Sequence, residues 1–272
     1  MSVTVEQLCG FLDRFAPRRL AEEWDNVGLL VGRRDRELSR VMTCLTVTPA
    51  SAAEAVMRGA EAIVTHHPLP FRPLKRLTPD NLPGRLLLTL VESRIAVISP
   101  HTAFDSAAEG INQRLATGLG LASPRPLSPI EEDPEGLGAG RFGDLPAPIS
   151  LAELGIAVGR LLGVGGLHRV GGASTSVRRV ACACGSGGSF LAAARRQGCD
   201  VLVTGEATFH TCLEAESDGI GMLLPGHFAS ERFALEVLAT EIHAEFPELE
   251  VWASARETDP LSWMETTSAN GD

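Results

Sequence analysis

An internal repeat constrains the fold of this chain more than any other feature of its sequence. Residues 40–67 read RVMTCLTVTPASAAEAVMRGAEAIVTHH, and residues 179–206 read RVACACGSGGSFLAAARRQGCDVLVTGE. The two segments align without gaps, so that Gly59 of the first corresponds to Gly198 of the second. Each copy runs from an apolar stretch through a small-residue turn and an Ala-rich stretch to this Gly and a second apolar stretch. That pattern is typical of a βαβ unit whose helix ends at Gly.

The repeat continues further along both halves. Residues 92–105 read ESRIAVISPHTAFD, and residues 216–231 read ESDGIGMLLPGHFASE. With small insertions, each segment carries an apolar strand, a Pro, a His, three residues and a carboxylate, and then enters an amphipathic helix. The corresponding pairs are His101 with His227 and Asp105 with Glu231. We therefore predict an α/β fold of two similar α/β domains that arose by internal duplication.

A segment rich in Pro and Gly separates the two halves. Residues 122–150 contain SPRPLSPIEEDPEGLGAGRFGDLPAP, which indicates a linker or a hairpin region. We place the first half at residues 1–124 and the second at 125–264, and we predict a disordered tail over 265–272.

Composition and charge narrow the function classes. Of the 272 residues, 44% are hydrophobic and 21% charged, which is typical of a globular protein with a filled core. The net charge of −10 argues against a nucleic-acid surface. No apolar stretch approaches the roughly 18 residues of a membrane span, and the N-terminus shows no signal-peptide pattern. Six scattered cysteines without a Cys-x-x-Cys pair indicate buried thiols in a reducing compartment, so we expect a cytoplasmic protein with no membrane or nucleic-acid partner.

The dipeptide His66-His67 is the sharpest local signal. It follows the apolar stretch AIVT and precedes Pro68. Neighbouring side chains face opposite ways within a strand, but where Pro68 ends the ladder both can turn toward one point. Open α/β sheets place ligands at the carboxyl ends of their strands. The alternative is a polar strand end without a role.

Two further pairs combine a histidine with a carboxylate four residues later, His101 with Asp105 and His227 with Glu231. On a helix such pairs share one face. A carboxylate near a helix start also interacts favourably with the helix dipole, so helix capping is the alternative for either pair alone. The recurrence of the pattern at matching positions of both halves favours convergence on one site.

Imidazole and carboxylate ligands together suit Zn, Mn, Fe, Co or Ni rather than Ca or Mg. Three histidines and two carboxylates exceed what one catalytic zinc needs and suit two metal ions. His210, in GEATFH, follows the second repeat's strand and either orients a ligand from outside the innermost shell or is an ordinary surface residue. The GSGG turn at 185–188 is better explained as a tight turn than as a phosphate site, because it lacks the Lys and the spacing of a P-loop.

Several stretches together resemble the NIF-three-like dinuclear metal-centre family, also called YbgI-like, some of whose members are named GTP cyclohydrolase I type two homologues. In order along the chain they are EEWDNVGLLVG (22–32), AIVTHHPLPF (62–71), ISPHTAFD (98–105), GAGRFGD (138–144), VLVTGEATFH (201–210) and PGHFASE (225–231). The resemblance implies two divalent metal ions per subunit and a ring-shaped homohexamer with metal sites facing an internal cavity. It implies as metal ligands His66, His67, Asp105, His227 and Glu231. It also implies that Glu231 bridges the metals and that His101 neighbours them.

The chain departs from the family pattern at one position. The family usually shows an Asp after the first strand, as in L-D-x-T, whereas this chain reads Leu45-Thr46-Val47-Thr48. Thr46 cannot serve as a carboxylate base or ligand. The ligand set is intact, but a reaction that needs this Asp is not supported.

Two classes of function follow. The first is a metal-dependent hydrolase, cyclohydrolase-like or acting on phosphoesters, with a nucleotide-like small-molecule substrate and with His101 or His210 moving a proton. The second is a protein without enzymatic activity that binds or delivers metal, or that forms a ring scaffold around structural metals.

Overall fold

The computed structural model describes residues 2–262, and its first half is a succession of short strands and helices. The elements of this half are β1 (Val3–Thr4), α1 (Val5–Phe15), a 3-10 turn (Arg18–Leu20), β2 (Gly28–Val31), β3 (Glu37–Leu38), β4 (Arg40–Cys44), α2 (Pro49–Met57), β5 (Ala62–Thr65), α3 (Leu82–Glu92), β6 (Ala96–Ser99), α4 (His101–Ser106) and α5 (Ile111–Gly118).

The second half repeats the alternation of strand and helix after two hairpin-like segments. Its elements are β7 (Ala122–Arg125), β8 (Ser128–Pro129), β9 (Gly138–Ala139), β10 (Arg141–Ser150), α6 (Leu151–Leu162), β11 (His168–Val170), β12 (Ser176–Ala183), a 3-10 turn (Gly187–Phe190), α7 (Leu191–Arg196), β13 (Val201–Thr204), α8 (Phe209–Asp218), β14 (Gly221–Leu224), α9 (His227–Glu245) and β15 (Glu250–Ala253). Because β7 and β10 pair antiparallel, the Pro- and Gly-rich segment is a hairpin region rather than a free linker.

Two sheets carry the duplication. One has the strand order β15-β4-β5-β6-β2, and the other has the order β11-β14-β13-β12-β10-β7. The repeated βαβ units place β4, β5 and β6 parallel in the first sheet and β12, β13 and β14 parallel in the second. An antiparallel strand follows in each, β2 beside β6 and β11 beside β14. The predicted α/β fold of two similar halves is confirmed.

The two halves exchange elements, so the sheets do not divide at residue 124. Strand β7 begins at Ala122 and pairs within the second sheet. Strand β15 returns from the C-terminal part of the chain and pairs parallel to β4, with Val251 opposite Val41. Without β15, β4 would be an unpaired edge strand of the first sheet. Strand β10 takes the corresponding position beside β12 in the second sheet. The tail predicted over 265–272 lies outside the described residues.

Helix α9 crosses from the second half to the first. It packs on β4 and β15, and the buried hydroxyl of Thr43 donates a hydrogen bond of 2.7 Å to the carbonyl of Leu235 in the middle of the helix. One buried apolar cluster joins Leu8, Phe104 and Leu235 to the strands of both sheets. This common core fixes the two strand-end edges relative to each other. Within residues 2–262, the helices are too short or too polar to cross a membrane.

Candidate metal centre

His66 and His67 lie just beyond the end of β5 and are held there by backbone hydrogen bonds. Their amide groups donate to the carbonyls of Cys44 and Leu45, so the ladder to β4 continues past the strand. Ser99 donates to the carbonyl of His66 at 2.6 Å. The His66 side chain is fully buried, whereas that of His67 is 23% exposed. As the dipeptide pattern predicts, both rings turn toward one point, with centroids 5.0 Å apart.

The two histidine–carboxylate pairs lie at the starts of α4 and α9, with the carboxylate one turn beyond the histidine. Each helix begins at its histidine, His101 or His227, and neither has a side chain that caps its N-terminus. The capping alternative therefore does not account for the pairs. His101 has a φ of 29°, a left-handed backbone conformation that is rare outside Gly and that clusters at functional sites.

The carboxylate of Glu231 lies at the centre of the cluster. Its oxygens are 3.7 Å from Nε2 of His66, 3.2 Å from Nε2 of His67 and 3.0 Å from Nε2 of His227. Nε2 of His66 is also 3.7 Å from Asp105. Nε2 of His67 and Nε2 of His227, which come from different halves of the chain, are 3.3 Å apart. The structure thus brings all five predicted ligands together, and their binding of metal stays a prediction.

Several atoms of this cluster are better placed to bind a cation than to form hydrogen bonds with one another. Neither ring nitrogen of His66 has a hydrogen-bond partner among the described residues, although both atoms are buried. Buried polar atoms normally have such partners, so these atoms are placed for a ligand of another kind. Nitrogen and carboxylate oxygen donors suit a divalent transition metal ion or zinc.

Among residues 2–262, two overlapping groups of three could each hold an ion. Ligand atoms of His66, His67 and His101 lie within 4.8 Å of one another, and so do those of His67, His227 and Glu231. His67 belongs to both groups. The first group contains His101, which sequence reasoning placed beside the metals, and it does not contain Asp105. Asp105 instead accepts a hydrogen bond of 3.0 Å from the Cys184 thiol.

Carboxylates behind two of the histidines were missed by the sequence reasoning. Nδ1 of His101 is 2.7 Å from Asp25, which also accepts hydrogen bonds from the backbone and hydroxyl of Thr102. Nδ1 of His227 is 3.0 Å from Glu206. Such outer partners fix the tautomer and orientation of an imidazole, as in many metal sites. The sequence signal that could have identified Asp25 and Glu206 is their position in EEWDNVGLLVG and VLVTGEATFH, two of the stretches that resemble the family.

His210 and the GSGG segment, the remaining candidates from the sequence, are not predicted ligands. His210 is an exposed residue of α8 whose ring lies 5.8 Å from that of Phe209, and no described contact joins it to the cluster within residues 2–262. The GSGG segment forms a tight turn, in which Gly185 and Gly187 donate their amides to Ser230 and Thr204. Gly185 has a φ of +60°, and a Cβ there would lie 2.1 Å from Glu231. This Gly is therefore required for the backbone to approach the carboxylate.

Burial and neighbouring charges shift the pKa values of the cluster in opposite directions. Burial alone would raise the pKa of Glu231, but His66 and His227 lower it well below its usual range. The hydrogen bond with Glu231 raises the pKa of His227 to about 9. Burial lowers the pKa of His67 and raises that of Asp105. Opposed shifts of this kind are typical of functional sites.

Metal binding and metal-free stability are expected to respond oppositely to pH. The pKa of His227 rises from 6.5 to about 9 on folding, so its contribution to stability is complete below pH 6.5 and disappears as pH rises through about 9. A metal ligand must be deprotonated, so metal affinity increases over the same window. Calorimetric titration at pH 7.5 in buffers of different ionisation enthalpy is expected to show proton release on metal binding. Absence of release, or metal-free stability that rises between pH 6.5 and 9, would contradict this assignment.

Thr46 takes the place behind His67 that Asp25 takes behind His101 and Glu206 takes behind His227. Its hydroxyl oxygen is 2.6 Å from Nδ1 of His67. The backbone around it is fixed by Glu257, whose carboxylate accepts the amides of Leu45 and Thr46 at 2.9 and 2.7 Å. The residue that departs from the family pattern therefore supplies a neutral outer partner instead of a carboxylate.

Replacing Thr46 with Val is expected to weaken metal binding by about tenfold or more, because loss of an outer partner typically costs 10–100-fold. Thr46→Ser keeps the hydroxyl and is the matched control, with affinity within about threefold of the unchanged protein. Competition with a chromophoric chelator measures both. Equal affinities for the Val and Ser variants would show that the hydroxyl does not support His67.

A cavity of about 400 Å³ opens beside the cluster. Its wall contains candidate metal ligands from both halves, including His67, Asp105 and Glu231. Aromatic side chains of Trp24, Phe71 and Phe190 complete the lining. A ligand in this cavity would contact the cluster directly.

Relatives of known name match most of the chain. A GTP cyclohydrolase 1 type 2 homolog of Clostridium acetobutylicum is 31% identical over 242 residues, covering 89% of this chain and 90% of that protein. A GTP cyclohydrolase 1 type 2 homolog of Streptomyces coelicolor is 37% identical over 224 residues, covering 81% and 79%. The GTP cyclohydrolase 1 type 2 of Helicobacter pylori strain 26695 is 33% identical over 244 residues, covering 88% and 92%.

Solved structures share the fold, and a family model spans nearly the whole chain. A Bacillus cereus protein related to NIF3 superposes with a TM-score of 0.89 at 22% identity, covering 97% of this chain and all of that one. Staphylococcus aureus protein SA1388 superposes with a TM-score of 0.87 at 26% identity, covering 96% and 99%. The model for Duf34/NIF3 (NGG1p interacting factor 3) matches residues 3–260. The resemblance read from the sequence is confirmed, and the chain belongs to the Duf34/NIF3 family.

Proposed function

We propose that this protein is a metal-dependent hydrolase that holds two divalent metal ions per subunit and acts on a nucleotide-like substrate. The observation that carries the proposal is the buried Glu231 carboxylate, which has the Nε2 atoms of three histidines within 3.7 Å at the wall of an open cavity. The names of the relatives, GTP cyclohydrolase 1 type 2 and its homologs, support a nucleotide-like substrate.

The ligands in this proposal are those of the sequence analysis. They are His66, His67, Asp105, His227 and Glu231. Their nitrogen and oxygen donors suit Zn, Fe, Mn, Co or Ni. When bound, such ions act as Lewis acids and bring the pKa of water close to neutrality.

His101 is the residue best placed to move a proton. Asp25 is buried and holds Nδ1 of its ring, while another ring atom points toward His66 and His67. Burial would raise the pKa of Asp25, but the hydrogen bonds from His101 and Thr102 lower it to about 2, so this carboxylate stays ionised. An imidazole oriented by a carboxylate is suited to general acid–base catalysis at the cavity wall. The same position allows His101 to serve as a further ligand.

The competing proposal is a protein that delivers metal without catalysis. What favours it is the unequal exposure of the ligands, because the His66 side chain is fully buried whereas those of His67 and His227 are 23% and 33% exposed. An ion held by His67 and His227 would be open to exchange.

A homohexameric ring in the cytoplasm is compatible with both proposals and rests on the family resemblance. Mass measurement in solution tests the hexamer, and a ring that dissociates on chelation would favour a scaffold with structural metals.

Elemental analysis of the purified protein, followed by turnover assays, tests the proposal. We expect two equivalents of metal per chain and hydrolysis of GTP or of a member of a phosphoester panel that ceases on chelation. Rapid transfer of bound metal to a chelator, without turnover of any member of the panel, would replace the hydrolase with the delivery protein.

A further inference from the structure

We propose that Trp24 and Phe71 form a platform that binds a planar heteroaromatic ring, and that the cavity recognises this ring rather than a polyphosphate chain. This inference rests on the proposed function, because it names the part of the substrate that the same site recognises. It follows from the exposure of the two aromatic side chains, from their position next to the cluster and from the charges of the cavity wall.

The two rings are exposed although most large apolar side chains of the chain are not. Trp24 is 63% exposed and Phe71 is 51% exposed, and both line the cavity. Their ring centroids are 6.2 Å apart and their planes are tilted by 48°, so the two rings do not stack on each other. Exposed aromatic faces at a cavity mouth are a common means of binding a flat ring, because stacking removes apolar surface from water at little entropic cost.

His101 lies between the platform and the cluster of candidate metal ligands. The ring of His101 lies 6.0 Å from Trp24 and 5.9 Å from Phe71, and 5.1 Å from the ring of His66. A ring seated on the platform would therefore lie beside the imidazole that faces the cluster. This continuity distinguishes the pair from Phe209, which is 72% exposed on α8 and does not line the cavity.

Apart from the metal ions of the proposed function, the charges of the wall do not suit a triphosphate. Among the described residues, the lining contains the carboxylates Glu22, Asp105 and Glu231 and the imidazoles of His67, His101 and His227, but no Lys or Arg. Arg141 follows the lining residue Gly140, but it is buried and its guanidinium is engaged by backbone carbonyls. Phosphate recognition by proteins relies largely on Arg, Lys or a helix N-terminus. The N-terminus of α9 reaches the wall at His227, but the carboxylate of Glu231 lies one turn into that helix and repels a phosphate there. Affinity from the protein's own side chains therefore comes from the ring.

Equilibrium dialysis of the full-length protein, freed of metal by chelation, with guanosine, GTP, ribose and inorganic tripolyphosphate tests the proposal without the phosphate affinity that bound metal ions would add. We expect guanosine and GTP to bind within about fivefold of each other, and tripolyphosphate and ribose not to compete. Trp24→Ala and Phe71→Ala are each expected to weaken guanosine binding about tenfold or more, whereas Trp24→Phe stays within about threefold. Phe209→Ala is the matched control with unchanged affinity. Phe71→Leu, which keeps the apolar volume but not the ring, is expected to behave like Phe71→Ala.

The outcomes separate this inference from the proposed function. Guanosine binding that depends on Trp24, without turnover under any metal loading, would remove the hydrolase and leave the platform. Turnover with guanosine affinity unchanged in both alanine variants would remove the platform and leave the hydrolase. Tighter binding of GTP by a hundredfold, or competition by tripolyphosphate, would overturn the choice of ring over phosphate. If Trp24→Ala changes the oligomeric mass and guanosine does not bind, the pair contacts a second copy of the chain and the inference is wrong.

Discussion

Replacing Glu231 with Gln is expected to weaken the binding of divalent metal ions at least about a hundredfold, because loss of an outer partner alone typically costs 10–100-fold. Gln has the shape of Glu but no charge, so the change removes the anion without opening a cavity. The carboxylate oxygens of Glu231 lie within 3.7 Å of Nε2 in His66, His67 and His227. Loss of this charge therefore affects every imidazole that could share an ion with it.

The metal-free protein is expected to respond in a way that identifies the cause. The pKa of Glu231 lies well below its usual range, because the attraction of His66 and His227 outweighs burial. Without the anion, the pKa of His227 loses its main source of elevation and falls from about 9. Titration of the imidazole by NMR measures that fall. Chelator competition and elemental analysis measure the loss of metal.

Glu206→Gln is the matched control for Glu231→Gln. Glu206 also contacts His227, at 3.0 Å, but it does so at Nδ1 and its side chain is 53% exposed. We expect an effect on metal affinity of about tenfold or less, since an exposed outer partner is replaced in part by water. Equal losses in the two variants, or two equivalents of tightly bound metal in Glu231→Gln, would show that Glu231 is not a central ligand.

The parts of the fold and site that the sequence predicts are those encoded by local patterns. The βαβ repeat is visible because each copy ends its helix at a Gly, Gly59 or Gly198, before a buried strand. The convergence of His67 and His227 is predictable because duplicated strand ends face each other when two like units share a core. Spacing alone placed the carboxylates, since a separation of four residues puts Glu231 one turn beyond His227.

The parts that could not be predicted depend on pairing between distant segments. The strand around Val251 is a short apolar run, and nothing in its local pattern selects β4 of the first sheet over an edge of the second. Asp25 lies in a loop 76 residues from His101, and a single carboxylate in a loop has no periodicity to indicate its partner. The same holds for Trp24 and Phe71, whose exposure contradicts the usual expectation that large aromatic residues are buried.

Replacing Arg141 with Met is expected to lower the free energy of unfolding by about 3–5 kcal/mol, because several buried carbonyls lose a donor and each buried acceptor left unsatisfied costs about 1–3 kcal/mol. Arg141 has 1% of its surface exposed. Its guanidinium donates to four backbone carbonyls, those of Gly138, Gly140, Ser106 and Ala107, at 2.7–2.9 Å. Met fills most of the volume but removes this donor from all four buried oxygens, of which only that of Ala107 is known to keep another, the amide of Gly110.

Two opposing contributions decide the sign of this effect. Burial without a paired carboxylate lowers the pKa of Arg141 to about 10, so the charge is costly to bury. Each hydrogen bond to a charged donor contributes about 1.5–3 kcal/mol, however, and four of them together outweigh that cost. The contacts to Ser106 and Ala107 also tie the end of α4, directly after Asp105, to the first strand residue of β10. We therefore expect weaker metal binding together with a fall in melting temperature on the order of 10 °C.

Arg179→Met is the control that separates burial from the loss of an arginine. Arg179 lies opposite Asp144 in the same sheet and pairs with it at 2.7 Å, with side chains 38% and 39% exposed. Exposed ion pairs contribute at most about 1 kcal/mol, so its melting temperature is expected to change little. Melting curves of both variants, recorded with and without metal, make the comparison. If Arg141→Met is as stable as Arg179→Met, the buried guanidinium does not join the two halves. The four hydrogen bonds of Arg141 to backbone carbonyls would then only offset the free energy lost by burying its charge.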